Sequence, residues 1–98
     1  MKTVLKYLSL ALVLSMAALP AKADCYADYK AKRDAPLRLH YGVMQLPDAA
    51  CSSTKSAMAE AARRLAEQGW TLLNVLAVFG EDGLEQRKDS AGEFFLRF

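Results

Sequence analysis

The run Arg64-Leu65-Ala66-Glu67-Gln68-Gly69-Trp70-Thr71-Leu72-Leu73-Asn74-Val75-Leu76-Ala77-Val78-Phe79 decides the fold. Its first residues finish a helix. Ala57, Met58, Ala61, Ala62 and Leu65 recur at helical spacing behind a cap at Ser52 or Ser53, and the helix runs to about Gln68. Glu60 can pair with Arg64 on the opposite side, and Gly69 stands where a left-handed C-terminal cap belongs. Trp70 to Phe79 follows without a linker and reads as an apolar strand. Strict alternation would put Trp70, Leu72, Leu76 and Val78 on one face with Asn74 among them. Leu73, Val75, Ala77 and Phe79 would take the other.

Working outward, Leu37 to Leu46 alternates as a second strand, with Leu37, Leu39, Tyr41 and Val43 on one face and Arg38, His40, Gly42 and Met44 on the other. Pro47-Asp48 stops it. Downstream, Gly80 to Gly83 reads as a turn, and Leu84 to Lys88 as an extended arm or one helical turn. Glu93 to Phe98 reads as a closing strand with Phe94, Leu96 and Phe98 on one side. Upstream, Asp24 can cap a short helix through Asp34 that gathers Tyr26, Tyr29 and Arg33 on one side and ends before Pro36. The expectation is an α+β domain: a short N-terminal helix, then β-α-β-β. It has a three-stranded mixed sheet, one main helix packed on one face, and one disulfide. The helical crossover makes the first two strands parallel, and the third either inserts between them, the preferred arrangement, or adds at the outside.

The first 23 residues do not belong to that domain. Lys2 and Lys6 precede an apolar run from Tyr7 to Leu19, and Ala21-Lys22-Ala23 has the small-x-small pattern of a signal-peptidase site. About 13 apolar residues fall short of the roughly 20 that span a bilayer, and Asp24 before Cys25 is wrong for lipid attachment. The expectation is cleavage between Ala23 and Asp24, leaving residues 24–98 as a single periplasmic or secreted domain. The chain has 98 residues, 13 basic and 11 acidic. Lys2, Lys6 and Lys22 leave with the leader while every acidic residue stays, so the exported part is close to neutral. No basic stripe argues for nucleic acid, and no second apolar run argues for an integral membrane segment.

Cys25 and Cys51 are the only cysteines. Their spacing excludes a C-x-x-C redox motif, and one histidine in the whole chain is too few for an ordinary zinc site. In an oxidising compartment they read as a disulfide pinning the start of the domain to the start of the main helix. Closing that loop is worth roughly 3–4 kcal/mol on the loop-entropy model.

One helix covers one face of a three-stranded sheet. The other face nevertheless carries large apolar groups, with Leu73, Val75, Phe79 and Phe95 the candidate contact face. Two covers are available: the N-terminal segment laying Tyr26 and Tyr29 across it, or a second molecule. Catalytic patterns are missing. His40 has no patterned nucleophile beside it, no phosphate loop or dinucleotide fingerprint occurs, and the acidic residues around Gly80–Gly83 lack calcium-loop spacing. Lys30, Lys32 and Arg33 read as a solvated basic face.

The stretch Arg64 to Val75, with Glu67-Gln68-Gly69-Trp70 at its centre and Phe94-Phe95-Leu96-Arg97-Phe98 closing it, resembles small uncharacterised bacterial domains. These have a helix ending in E-x-G-W followed by an apolar strand. The span from Cys25 through Leu37-Arg38-Leu39-His40-Tyr41-Gly42-Val43 resembles a family of small secreted bacterial proteins. The resemblance implies a β-α-β-β domain and no activity. Small periplasmic stress proteins and the flavin-binding dodecins share only that architecture.

The functional expectation is therefore non-enzymatic: a disulfide-stapled domain that binds a protein or self-associates through an apolar sheet face, with no cofactor and no metal. The alternative is an oligomeric small-ligand carrier of dodecin-like architecture, with Trp70 or Tyr41 stacking on an aromatic ligand. Intact mass of the exported protein should give a chain beginning at Asp24; a mass retaining residues 1–23 would reject the cleavage site.

Overall fold

The computed structural model describes residues 24–98. The expected leader and the Ala23 side of its cleavage site lie outside the described residues. Three strands, β1 (Cys25–Arg33), β2 (Arg38–Leu46) and β3 (Thr71–Phe79), form one sheet in the order β2-β1-β3. The main helix α1 (Thr54–Glu67) connects β2 to β3, and a short helix α2 (Glu85–Ala91) follows β3. The α+β class, the three-stranded sheet, the main helix and the disulfide are as expected.

The N-terminal segment is a strand, not a helix. Ala27, Tyr29 and Ala31 are fully buried and alternate with Asp28, Lys30 and Lys32, a period of two that outweighs the helix propensity of the alanines. The Tyr26, Tyr29 and Arg33 grouping that a helix would give is thereby broken, with Tyr26 and Tyr29 on opposite faces of β1. The strand makes a hairpin with β2 through Asp34–Leu37, whose Ala35–Pro36 peptide is cis.

The sheet is antiparallel rather than mixed, since β1 pairs antiparallel with both neighbours. A split β-α-β does form. β2 and β3 run in the same direction across the α1 crossover, but the inserted strand is the N-terminal β1, not the C-terminal segment. Glu93 to Phe98 is not a sheet strand. A 3₁₀ turn at Gly92–Phe94 leads to one parallel bridge between Phe95 and Val43.

β3 does not alternate. Asp28 pairs with Ala77 and Tyr29 with Val75, leaving Leu76 as an extra residue; Lys30 pairs with Asn74 and Ala31 with Leu72, leaving Leu73 extra. These two bulges turn a period of two into a period of three. Leu72, Val75 and Val78 pack on the core beneath α1, while Leu73 and Leu76 stand 48 % exposed.

The ends of α1 are built as its sequence suggests. Ser53 caps the start, its Oγ accepting from the Ser56 amide at 3.0 Å. At the other end Gly69 takes φ 82, its amide bonds Ala66 O at 3.1 Å, and the Trp70 amide bonds Leu65 O at 2.9 Å. This pair of reversed bonds consumes orphan carbonyls and brings Trp70 onto Leu65 in the core. The buried seam Ala57, Ala61, Leu65 joins Ala27 and Ala31 of β1 in one core cluster. Cys25 and Cys51 are bonded, joining the first residue of β1 to the 3₁₀ turn ahead of α1 with Cα atoms 5.9 Å apart.

Tyr29 lies across β2 directly over Gly42. A Cβ built at Gly42 would meet the phenol 2.6 Å from Cζ. Gly42→Ala should lower the unfolding free energy by about 1–3 kcal/mol in urea titration and cost far less in a Tyr29→Ala background. Additive losses would show that the ring contact is not the cause.

Candidate contact face

α1 covers one face of the sheet. The opposite face carries Tyr26, Asp28, Lys30 and Lys32 from β1, Leu39, Tyr41 and Val43 from β2, and the outward residues of β3. The C-terminal segment divides it. α2 crosses the end near Asp28 and is anchored by Arg87, whose Nε donates to Asp28 Oδ2 at 3.0 Å while Nη1 donates to Gly83 O at 2.7 Å. Its guanidinium also lies 3.8 Å over the Phe79 ring, which stacks on Tyr26. Tyr41 donates to the same Asp28 oxygen at 2.8 Å; burial, then that bond, push its phenol up to about 12. Asp28 is 6 % exposed, so pairing with Arg87 is what makes a carboxylate tolerable there.

Beyond α2 the face is open. Leu39 is 65 % exposed and Leu73 48 %. With Lys30, Ala31 and His40 they line a shallow depression of about 220 Å³. Of the candidate contact residues, Leu73 lies on this open half. Val75 does not: the bulges swing it into the core beneath α1. Phe79 sits under Arg87, and Phe95 bridges to Val43 at the β2 edge. The four do not form one surface. Leu39 and Leu76, the other exposed leucines of the sheet, were not among the four. Leu39 falls on the open face by simple alternation along β2, whereas nothing in the composition of β3 marks the bulge that turns Leu76 out.

From α2 the chain rounds the β2 edge and reaches the α1 side. The Leu96 amide bonds Val43 O at 2.8 Å. Phe94 stacks on His40 with ring centroids 3.7 Å apart, and Trp70 meets the same imidazole edge-on at 4.3 Å. His40 stands at the centre of this cluster. It is 9 % exposed, and its Nε2 lies 2.9 Å from Tyr29 Oη. Burial, and then the Arg33 charge, hold its pKa below the usual imidazole value; burial also raises that of Tyr29.

A second groove of about 190 Å³ runs past Trp70, Phe94, Arg33 and Arg97. Arg38 also lines it, and of its three arginines two are engaged. Arg33 donates to the carbonyls of Gln68 and Gly69 and lies over Trp70, and Arg97 pairs with Glu93. Trp70, 6 % exposed beneath Arg33, offers no ring face to a ligand. Among the described residues no group of three or more His, Cys, Asp or Glu could hold a metal ion, and no helix is long and apolar enough to cross a membrane.

No protein-family model matches the chain, and no curated protein or solved structure matches it.

His40 gives this half of the molecule a pH dependence. Its pKa is lowered on folding, so the unfolded chain binds the extra proton first and stability falls as pH drops through about 6.5. Thermal melts between pH 7.5 and 5.5 should show a falling Tm in the wild type and a flatter profile in His40→Gln. An equal slope in both would assign the effect to other groups.

Proposed function

We propose that this chain is an exported, disulfide-stapled, non-enzymatic module that acts by protein contact through the half of the second sheet face left open by α2. The observation that carries this reading is the pairing of Leu39 and Leu73, well exposed beside Lys30 on a rigid sheet. Isolated surface leucines are ordinary, but adjacent ones on a regular face mark contact surfaces. The leader pattern and the Cys25–Cys51 bond support an oxidising destination. The carrier alternative has less support, because Trp70 is covered by Arg33 and the Tyr41 hydroxyl is committed to Asp28.

A photo-crosslinking amino acid placed at Leu39 or Leu73 in the expressing cells should yield discrete protein adducts, whereas the same group at Met58, exposed on α1, should not. Adducts from Met58 alone, or from none of the three, would sink the reading.

A further inference from the structure

The two edges of the sheet are treated differently. The β2 edge is met by the chain itself at Val43, through the Val43–Phe95 bridge and the Leu96 amide. The outer edge of β3 has no strand partner among the described residues. Edge strands are normally guarded by a lysine, a proline, shortness or a bulge. Thr71–Phe79 is nine residues long with no charge and no proline, and its two bulges turn out leucines rather than charges. Such an edge is a template for strand addition.

The charges at its ends indicate which strand. In antiparallel self-pairing about a twofold axis at Val75, Leu73 falls opposite Ala77 and Asn74 opposite Leu76. The Glu81–Gly83 turn that follows one strand then lies toward the start of the other, where Gln68 and Gly69 precede it. Those two residues are where Arg33 sits, its Nη2 2.8 Å from Gln68 O and its Nε 3.3 Å from Gly69 O. Among the described residues Arg33 has no carboxylate partner, and neither Glu81 nor Asp82 has a cation. Symmetry makes the match twice, and no like charges oppose one another along the strand.

We propose that the contact partner is a second copy of this chain, joined β3 to β3 in antiparallel register about Val75, with Glu81 and Asp82 of each copy against Arg33 of the other. The two sheets become one of six strands, with the exposed Leu73 and Leu76 of both copies beside the seam and Leu39 two strands from it. This rests on the contact reading above and narrows it to one partner and one register.

The test uses the protein with Cys25–Cys51 intact, followed by light scattering over a concentration series and by amide exchange. The expected result is a dimer in which Thr71–Phe79 amides gain protection as dimer forms. Glu81→Lys combined with Asp82→Lys, both exposed, should raise the dimer dissociation constant about tenfold at low salt and much less at 1 M salt. The far-ultraviolet spectrum should stay unchanged. A monomer at every concentration overturns the proposal, and crosslinks from Leu39 to another protein would then leave the contact reading standing. A dimer with no added β3 protection, dissociated by Leu39→Lys but indifferent to the charge reversal, overturns the edge pairing while keeping the face.

Discussion

The rest of the structure depends on the hydrogen bond between Tyr29 and His40. Tyr29 is fully buried at the centre of the middle strand, and its ring can cross β2 only because position 42 has no side chain. The hydroxyl reaches His40, and the imidazole in turn sets Phe94 and Trp70 around itself. One polar contact thus ties the hairpin, the end of α1 and the returning C-terminus together. Were either partner removed, the other would be a buried polar group without its bond, which costs more than the bond itself contributes.

Around that centre the small domain is held by devices that compensate for a modest core. The disulfide ties the start of β1 to the entrance of α1. Arg64 bonds Glu60 on its own helix and the Gln45 carbonyl at the end of β2. Arg87 reaches across the second face to Asp28. Arg33 covers Trp70 and the last carbonyls of the helix end. Each of these arginines joins segments distant in sequence, and Arg87 binds the segment after β3 to the sheet. That contact also shapes the surface: where Arg87 holds α2 down the sheet is covered, and where α2 stops Leu39 and Leu73 meet solvent.

Much of this was legible beforehand. Ser53, the alanine seam and Gly69 announced α1 and its stop through local backbone chemistry, which acts within a few residues. The cysteine pair announced its bond because the chain offers no other thiol. Leu37 to Leu46 announced a strand by alternation. The N-terminal strand was legible too, in the alternation of Ala27, Tyr29 and Ala31 with Asp28, Lys30 and Lys32, but the alanines and the Asp28–Lys32 spacing also suit a helix. Short segments with both signals are settled by what they can pair with, and β1 lies between two strands.

By itself the sequence determined the α+β class, the helix with its caps, the disulfide and the presence of apolar groups on both sheet faces. These depend on residue type and near-neighbour spacing. Only the tertiary structure decided the strand order, the two bulges that send Val75 inward and Leu73 and Leu76 outward, and the route of the C-terminus around β2. Those outcomes depend on pairing between residues dozens of positions apart. No local signal records that Asp28 will meet Arg87, or that His40 will close over Tyr29. Whether a leucine on a strand faces core or solvent is set by the register of its neighbour, and register is a property of two strands at once.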